Sequence, residues 1–181
     1  MAIREIIVAP DPRLKLTAKP VRRVDARVRA LMDDMLETMY AAPGIGLAAP
    51  QVGEALRVIV VDCAHDGAPR QPWCLADPEI VWASAERVPR EEGCLSLPEQ
   101  FADVTRPKEV RVRYRDRDDV ERELAADGLL AVCIQHEMDH LEGVLFVDHI
   151  SALRRGMILA RLRKYKKAKA AKAAKAERAG G

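Results

Sequence analysis

The stretch Gln135-His136-Glu137-Met138-Asp139-His140 places two imidazoles four residues apart, with a carboxylate directly after the first. On a helix of about 3.6 residues per turn, residues four apart stand roughly 40° from one another, so His136 and His140 share a face and can grip one metal ion. Glu137 then projects beside that ion. The order suits hydrolysis, because two neutral imidazoles hold a Lewis acid while the adjacent carboxylate carries protons to and from the attacking water. The plain alternative is a surface helix with two histidines. Against it, the chain has only four histidines and two of them fall in this pattern.

The helix that carries the motif starts at Asp127, a plausible N-cap, runs through Leu129, Val132, Cys133, His136 and His140, and ends at Gly143. Before it, Val110 to Tyr114 alternates with arginines, and the polar turn Asp116 to Asp119 predicts a hairpin into Val120 to Leu124. Leu56 to Val61 is a β-branched run, and Cys74 to Ile80 and Ile80 to Ala83 are shorter strand candidates. Further upstream, Val28, Leu31, Met32, Met35, Leu36 and Met39 recur at helical spacing over Asp25 to Tyr40, and Pro43-Gly44 stops the run. Residues 10 to 20 hold three prolines and read as an irregular arm, whereas a last helix starts near Ser151. Strands in the middle, one helix before them and one through the motif predict an α+β fold. We expect a single domain of mixed or antiparallel sheets wrapped around a central metal-binding helix, with an N-terminal and a C-terminal helix. The catalytic domain is expected over residues 1–160, with 161–181 as a basic Ala/Lys-rich extension.

A chain of 181 residues suits one domain that buries roughly 70% of its unfolded surface. Its net charge of +2 conceals an uneven distribution. Residues 161–181 carry nine basic residues and one acidic, which leaves 21 basic against 27 acidic residues, a net of −6, for residues 1–160. The N-terminus is interrupted by Pro10 and Pro12 too early for a secretory segment, and no apolar run approaches 18 residues, so a cytoplasmic protein that does not enter the membrane is expected. Cys63, Cys74, Cys94 and Cys133 form no Cys-x-x-Cys pair and read as core residues or metal ligands rather than disulfides.

Two histidines leave a divalent ion short of a third protein ligand. A metzincin would need a histidine ten residues after His136, and that position is Phe146. A thermolysin-like site needs a carboxylate on a later helix, but between Glu142 and Glu177 the chain offers only Asp148. Upstream, Glu92-Gly93-Cys94-Leu95-Ser96-Leu97-Pro98 sets a cysteine after a glycine whose backbone can approach a site closely, which makes Cys94 the candidate. Cys133, one turn before His136, is the other thiol in reach and reads better as an ordinary buried residue.

Three segments taken together resemble peptide deformylase, which removes the formyl group from nascent N-formylmethionyl chains. They are Gly44-Ile45-Gly46-Leu47-Ala48-Ala49-Pro50-Gln51, Glu92-Gly93-Cys94-Leu95-Ser96 and Gln135-His136-Glu137-Met138-Asp139-His140, and the similarity extends over roughly residues 3–160. The resemblance implies that Cys94, His136 and His140 are the metal ligands and Glu137 the acid/base. It implies that Gln51 and the backbone N–H of Leu95 donate to the formyl oxygen. It also implies Fe²⁺ in the cell, although thiolate and imidazole ligands suit Zn²⁺, Ni²⁺ and Co²⁺ as well. An apolar slot for the methionine side chain is expected from Leu129, Val132 and Cys133 on the helix, with Ile45 and Gly46 opposite; plain core packing is the alternative use of that helix face. Beside the substrate cleft of the family, Arg90 stands where many members have an apolar or aromatic residue, and Phe101 where some members have arginine.

Glu91 and Glu92 are candidates for orienting the ligands, and Arg106 for pairing with one of them. His65 and His149 lack a partner pattern and read as solvent-facing or locally hydrogen-bonded. The Gly44 to Gly53 segment lacks the Lys-Ser/Thr ending of a phosphate loop, which argues against nucleotide binding. The tail after Tyr165 has high helix propensity but no apolar stripe, so it is either a solvated helix end or a polybasic handle for ribosomal RNA without sequence specificity. With no long heptad pattern, a monomer is expected. A metallopeptidase and a non-catalytic binding protein remain as competing classes: the first would cleave unformylated peptides, and the second would lack Cys94, Glu137, His140 or Gln51, all of which are present.

Overall fold

In the computed structural model, which describes residues 2–64 and 67–179, the strand β2 (Val58–Val61) is buried on both faces. Successive side chains of a strand point to opposite sides. Val58 and Val60 accordingly pack with Val28, Leu31, Met32, Met35 and Met39 of α1 (Ala26–Ala41), whereas Ile59 and Val61 pack with Ile134 and Leu141 of α2 (Gly128–Leu141). This alternation places one helix on each face of the sheet. The carboxylate of Asp25 caps α1 by accepting from Val28 N at 3.0 Å.

The sheet itself is antiparallel, in the order β1-β2-β3-β6-β7, with β1 Gly46–Ala48, β3 Trp73–Ala83, β6 Val110–Arg115 and β7 Glu121–Ala126. The two strand candidates read between Cys74 and Ala83 are one strand, whose register against β6 shifts between Ala76 and Glu79 and again between Ile80 and Trp82. Such irregularities break the alternation that a continuous strand would show. The hairpin of β6 and β7 forms as expected, closed around Asp116, whose carboxylate accepts from the N–H groups of Asp118 and Val120. A second, two-stranded sheet pairs β4 (Arg87–Cys94) with β5 (Leu97–Pro107) and shares no strand with the first.

A third apolar cluster joins this hairpin to the N-terminal arm and to α3 (Ala152–Ala179) through Ile7, Leu14, Leu97, Val104, Phe146, Ile158 and Leu162. Burying side chains of this size contributes about 1.5 to 3 kcal/mol each. The arm is irregular apart from a 3₁₀ turn at Pro12–Lys15. The start of the tail packs, since Leu162 is buried and Lys166 Nζ donates to the carbonyls of Val8 and Pro10 at 3.1 Å; Lys167 to Lys172 are exposed. Among the described residues no helix is long and apolar enough to cross a membrane. His65 lies outside the described residues.

The metal-motif helix is bounded closely. Asp127 stands at its N-cap with its backbone oxygen bonded to Ala131 N, but its carboxylate makes no capping bond. At the other end Gly143 takes a left-handed φ of 70°, with Gly143 N bonded to His140 O and Val144 N to Asp139 O. These two bonds satisfy the last carbonyls of the helix in a Schellman motif. A Cβ on Gly143 would lie 2.5 Å from the Lys15 carbonyl oxygen, so both conformation and space demand glycine where the arm crosses the helix end.

Candidate active site

Each part of the site comes from a different element. The helix α2 turns His136, Glu137 and His140 inward, and all three are buried. Cys94 ends β4, where the register slips: Gly93 pairs with Phe101 but Cys94 pairs with Leu97, so Pro98, Glu99 and Gln100 bulge from β5. A bulge of this kind re-aims a side chain. It brings Cys94 Sγ to 3.2 Å from His140 Nε2, and single donor atoms of Cys94, His136 and His140 all lie within 4.8 Å of one another.

The donor set fits one divalent ion. His136 directs Nδ1 to Glu92 Oε2 at 2.8 Å, which leaves its other ring nitrogen for the cluster. Burial works against a charge on His136, yet the Cys94 sulfur and the Glu92 and Glu137 carboxylates around it raise its pKa well above the ordinary value. Burial and the neighbouring His136 hold His140 well below its ordinary value, hence neutral as a ligand must be. The cluster therefore demands a cation. One thiol and two imidazoles converging within 4.8 Å are a donor set that a single divalent ion can take. Glu137 Oε2 and His140 Nδ1 are buried with no hydrogen-bond partner among the described residues.

Burial also pushes the Glu137 carboxyl up to about 7, an effect that the His136 charge opposes. A carboxyl in that range exchanges protons readily near neutrality, and a cation beside it would draw the value back toward the ordinary carboxylate range. Glycine at position 46 is what lets Glu137 sit there, because a Cβ would overlap Glu137 Oε1 and lie 2.7 Å from Cys133 Sγ.

Behind the cluster lies a buried ionic network. Arg106 Nε and Nη2 donate to the two oxygens of Glu92 at 2.5 and 3.0 Å, and Nη1 reaches Asp139 Oδ2 at 2.8 Å. Burial alone would raise Glu92, but His136 and Arg106 hold it below its ordinary value, so it stays ionised and orients His136. His149 Nε2 closes the chain at 2.7 Å from Asp139. Glu91, by contrast, is exposed on β4. Removing one partner of such a network leaves an uncompensated buried charge. Arg106→Met is therefore expected to lower unfolding stability by about 3 kcal/mol in urea titrations at neutral pH; a loss below about 1 kcal/mol would show that Glu92 needs no cation.

Gln51 is carried by the 3₁₀ turn Ala49–Val52 and is 1% exposed. Its Oε1 accepts from Ala48 N at 2.8 Å, which fixes the amide so that Nε2 faces Ser96 Oγ at 3.0 Å and Cys94 Sγ at 3.5 Å. A cleft of about 390 Å³ opens over these groups, lined by Gly44, Ile45, Gly46 and Gln51 on one side and by Gly93, Cys94, Leu95, Pro98, Glu99 and Phe101 on the other, with His136 and Glu137 at its floor.

Nine of the eleven residues read as site candidates meet around this cleft: Cys94, His136, His140, Glu137, Gln51, Leu95, Ile45 and Gly46, with Cys133 beneath them, its Sγ donating to Ile45 O at 3.5 Å. Leu129 and Val132 do not line it; Leu129 is 36% exposed on the first turn of α2 and Val132 is buried. Arg90 lies exposed on β4 opposite Val104, away from the cleft, while Phe101 forms part of its rim. Sequence reasoning missed Ser96 and Asp139. Both lie inside quoted motifs, but their roles depend on partners 45 and 33 residues away that spacing does not reveal.

The sequence model of the family described as polypeptide deformylase matches residues 3–156. The peptide deformylase of Methylocella silvestris is 60% identical over 167 residues, covering 91% of this chain and 85% of that protein. That of Phenylobacterium zucineum is 57% identical over 165 residues, covering 91% and 98%. Among solved structures, peptide deformylase from Ehrlichia chaffeensis in complex with actinonin superposes with a TM-score of 0.88 at 40% identity, covering 91% of this chain and 98% of that one. Peptide deformylase from Legionella pneumophila superposes with a TM-score of 0.87 at 44% identity, covering 93% and 98%.

Proposed function

The chain belongs to the polypeptide deformylase family, metal-dependent hydrolases that remove the N-terminal formyl group from nascent peptides, and on that premise we propose how its own residues divide the work. Cys94, His136 and His140 would hold one divalent ion, Fe²⁺ in the cell, with Zn²⁺, Ni²⁺ or Co²⁺ able to take its place. When bound, that ion supplies Lewis acidity, acidifying water and polarising the formyl carbonyl. Glu137 takes the proton from the attacking water and delivers it to the departing amine. Gln51 Nε2 and the Leu95 N–H stabilise the charge that grows on the formyl oxygen and is absent in the ground state. The methionine side chain lies against Ile45, Gly46 and Cys133, with Leu129 and Val132 further along the same helix. Formate and a free amino terminus result.

What supports these roles is the meeting of a Cys-His-His donor set with Glu137 and the oriented amide of Gln51 in one cleft. The test is formate release from formyl-Met-Ala-Ser by anaerobically purified, metal-replete protein; no release would sink the assignment, and release of alanine or serine from unformylated Met-Ala-Ser would mark a peptidase. Gln51→Leu keeps the volume but removes the donor, and is expected to lower kcat about 10²-fold with KM nearly unchanged. An equal loss in KM would place Gln51 in ground-state binding.

The catalytic domain is read as residues 1–160 and the basic extension as 161–181, in a cytoplasmic monomer. The extension is a handle for the ribosome, supported by nine basic residues against one acidic in that stretch. Phosphate neutralisation by such a segment gives binding that weakens steeply with salt. Deleting Lys164 to Gly181 is expected to leave turnover of the tripeptide within about twofold, while ribosome co-sedimentation at low salt falls roughly tenfold. Equal co-sedimentation of both forms would remove the idea.

A further inference from the structure

Phe101 is a rim shared by two hollows. On the far side of that ring lies a second concavity of about 380 Å³, between the bulge of β5 and the first half of α3, lined by Glu99, Gln100, Phe101, Arg154, Met157, Ile158 and Arg161. Glu99 and Phe101 line both hollows, so the two adjoin at that ring. The ring is set between them by Gly93, where a Cβ would lie 2.6 Å from Phe101 Cε1.

Residues 154, 157, 158 and 161 recur at the spacing of one helix face. Ile158 anchors that face in the core, while Met157 and Phe101 remain 51% and 59% exposed. Arg154 and Arg161 flank the apolar strip, and neither guanidinium has a carboxylate within ion-pair distance among the described residues. Their neighbour Arg155 differs, since it pairs with Asp148 at 3.1 Å. Among the described residues the one carboxylate bordering the groove is Glu99, where it adjoins the catalytic cleft. The seven helical rises from Arg154 to Arg161 span about 10.5 Å, which is the length of roughly three residues of extended peptide.

We infer that this groove is a downstream subsite for the polypeptide substrate, in which Arg154 and Arg161 select acidic side chains beyond the third residue while Phe101 and Met157 carry the peptide backbone between them. The inference rests on the deformylase reading of the cleft. Adjacency to that cleft supplies the occupant, and two guanidinium groups without a carboxylate partner among the described residues supply the charge it must carry. Glu99 keeps the acidic preference away from the junction and places it at about the fourth to sixth residues.

The experiment compares formate release from formyl-Met-Ala-Ser with release from two C-terminally amidated hexapeptides, one extended by three glutamates and one by three lysines, at low ionic strength. Wild-type enzyme is expected to show a kcat/KM about fivefold higher for the glutamate peptide, mostly through KM, with the difference vanishing near 0.5 M salt. The whole chain carries +2 and the basic end of α3 itself favours the glutamate peptide, so the loss of the preference in the double variant, and not the preference alone, reports the groove. In the double variant Arg154→Ala, Arg161→Ala the two hexapeptides should converge, with tripeptide turnover unchanged. If that variant loses tripeptide turnover, Arg154→Gln and Arg161→Gln singly carry the comparison. Equal wild-type turnover of both hexapeptides, or a preference that survives the substitutions, overturns the subsite. Failure of wild-type enzyme on the tripeptide overturns the deformylase reading instead. Substitutions that weaken ribosome co-sedimentation but spare the peptide preference would assign the two arginines to RNA and also overturn the proposal.

Discussion

Glu137→Gln is expected to lower kcat for formate release by about 10³-fold while leaving metal content and fold intact. Glutamine has nearly the volume of glutamate, and Glu137 is 4% exposed with Oε2 unpartnered, so the substitution removes proton exchange without opening a cavity. Alanine would be a coarser test, because it would also leave a void beside Gly46 and Cys133. The loss should appear in kcat and kcat/KM alike, as for an interaction made only during reaction. Burial raises the Glu137 carboxyl and a neighbouring cation lowers it, and these opposed influences suit a side chain that acts first as base and then as acid. A metal-loaded variant that keeps more than about a tenth of wild-type kcat would transfer the proton work to another group.

Cys94→Ala should have a comparable effect by a different route. Without its sulfur the cluster keeps only the two imidazoles of α2, one short of the three protein ligands that such sites use. Bound metal after dialysis is expected to fall from about one equivalent to below about 0.1, and turnover with it. The fold should survive, because Gln51 retains Ser96 Oγ at 3.0 Å and Glu92 keeps Arg106. Far-UV circular dichroism and metal analysis on the same sample separate the two. Retention of a full equivalent of metal would remove Cys94 from the ligand set.

Legibility of the fold in the sequence followed regularity. The helices α1 and α2, the strand β2 and the hairpin of β6 and β7 carry clean periods with turn or cap residues at their ends, and they form where expected. The strand β1 is three residues long and glycine-led, too short for any period, and it exists because β2 pairs with it. The β4–β5 hairpin was hidden for another reason: Pro89, Pro98 and Pro107 and an exposed outer face make it look like loop, and one of its inward positions is Arg106 rather than an apolar residue. The site divides in the same way. His136, Glu137 and His140 are local to one helix, so spacing alone pairs them. Cys94 and Gln51 arrive through contacts 46 and 43 residues distant, and only the resemblance to a family of known chemistry identified them together.

The two sheets share no backbone ladder, yet the proposed metal ligands are split between what each carries: the cysteine with the hairpin, the histidines with the helix packed on the larger sheet. The reactive centre is thus a seam, and its dimensions report the relative seating of two separately ladder-bonded bodies. Catalytic competence and docking of the hairpin become one coordinate. A slip of about 1 Å there would cost most of the rate while every strand and helix stayed intact, so heat or denaturant should silence this enzyme before it unfolds it.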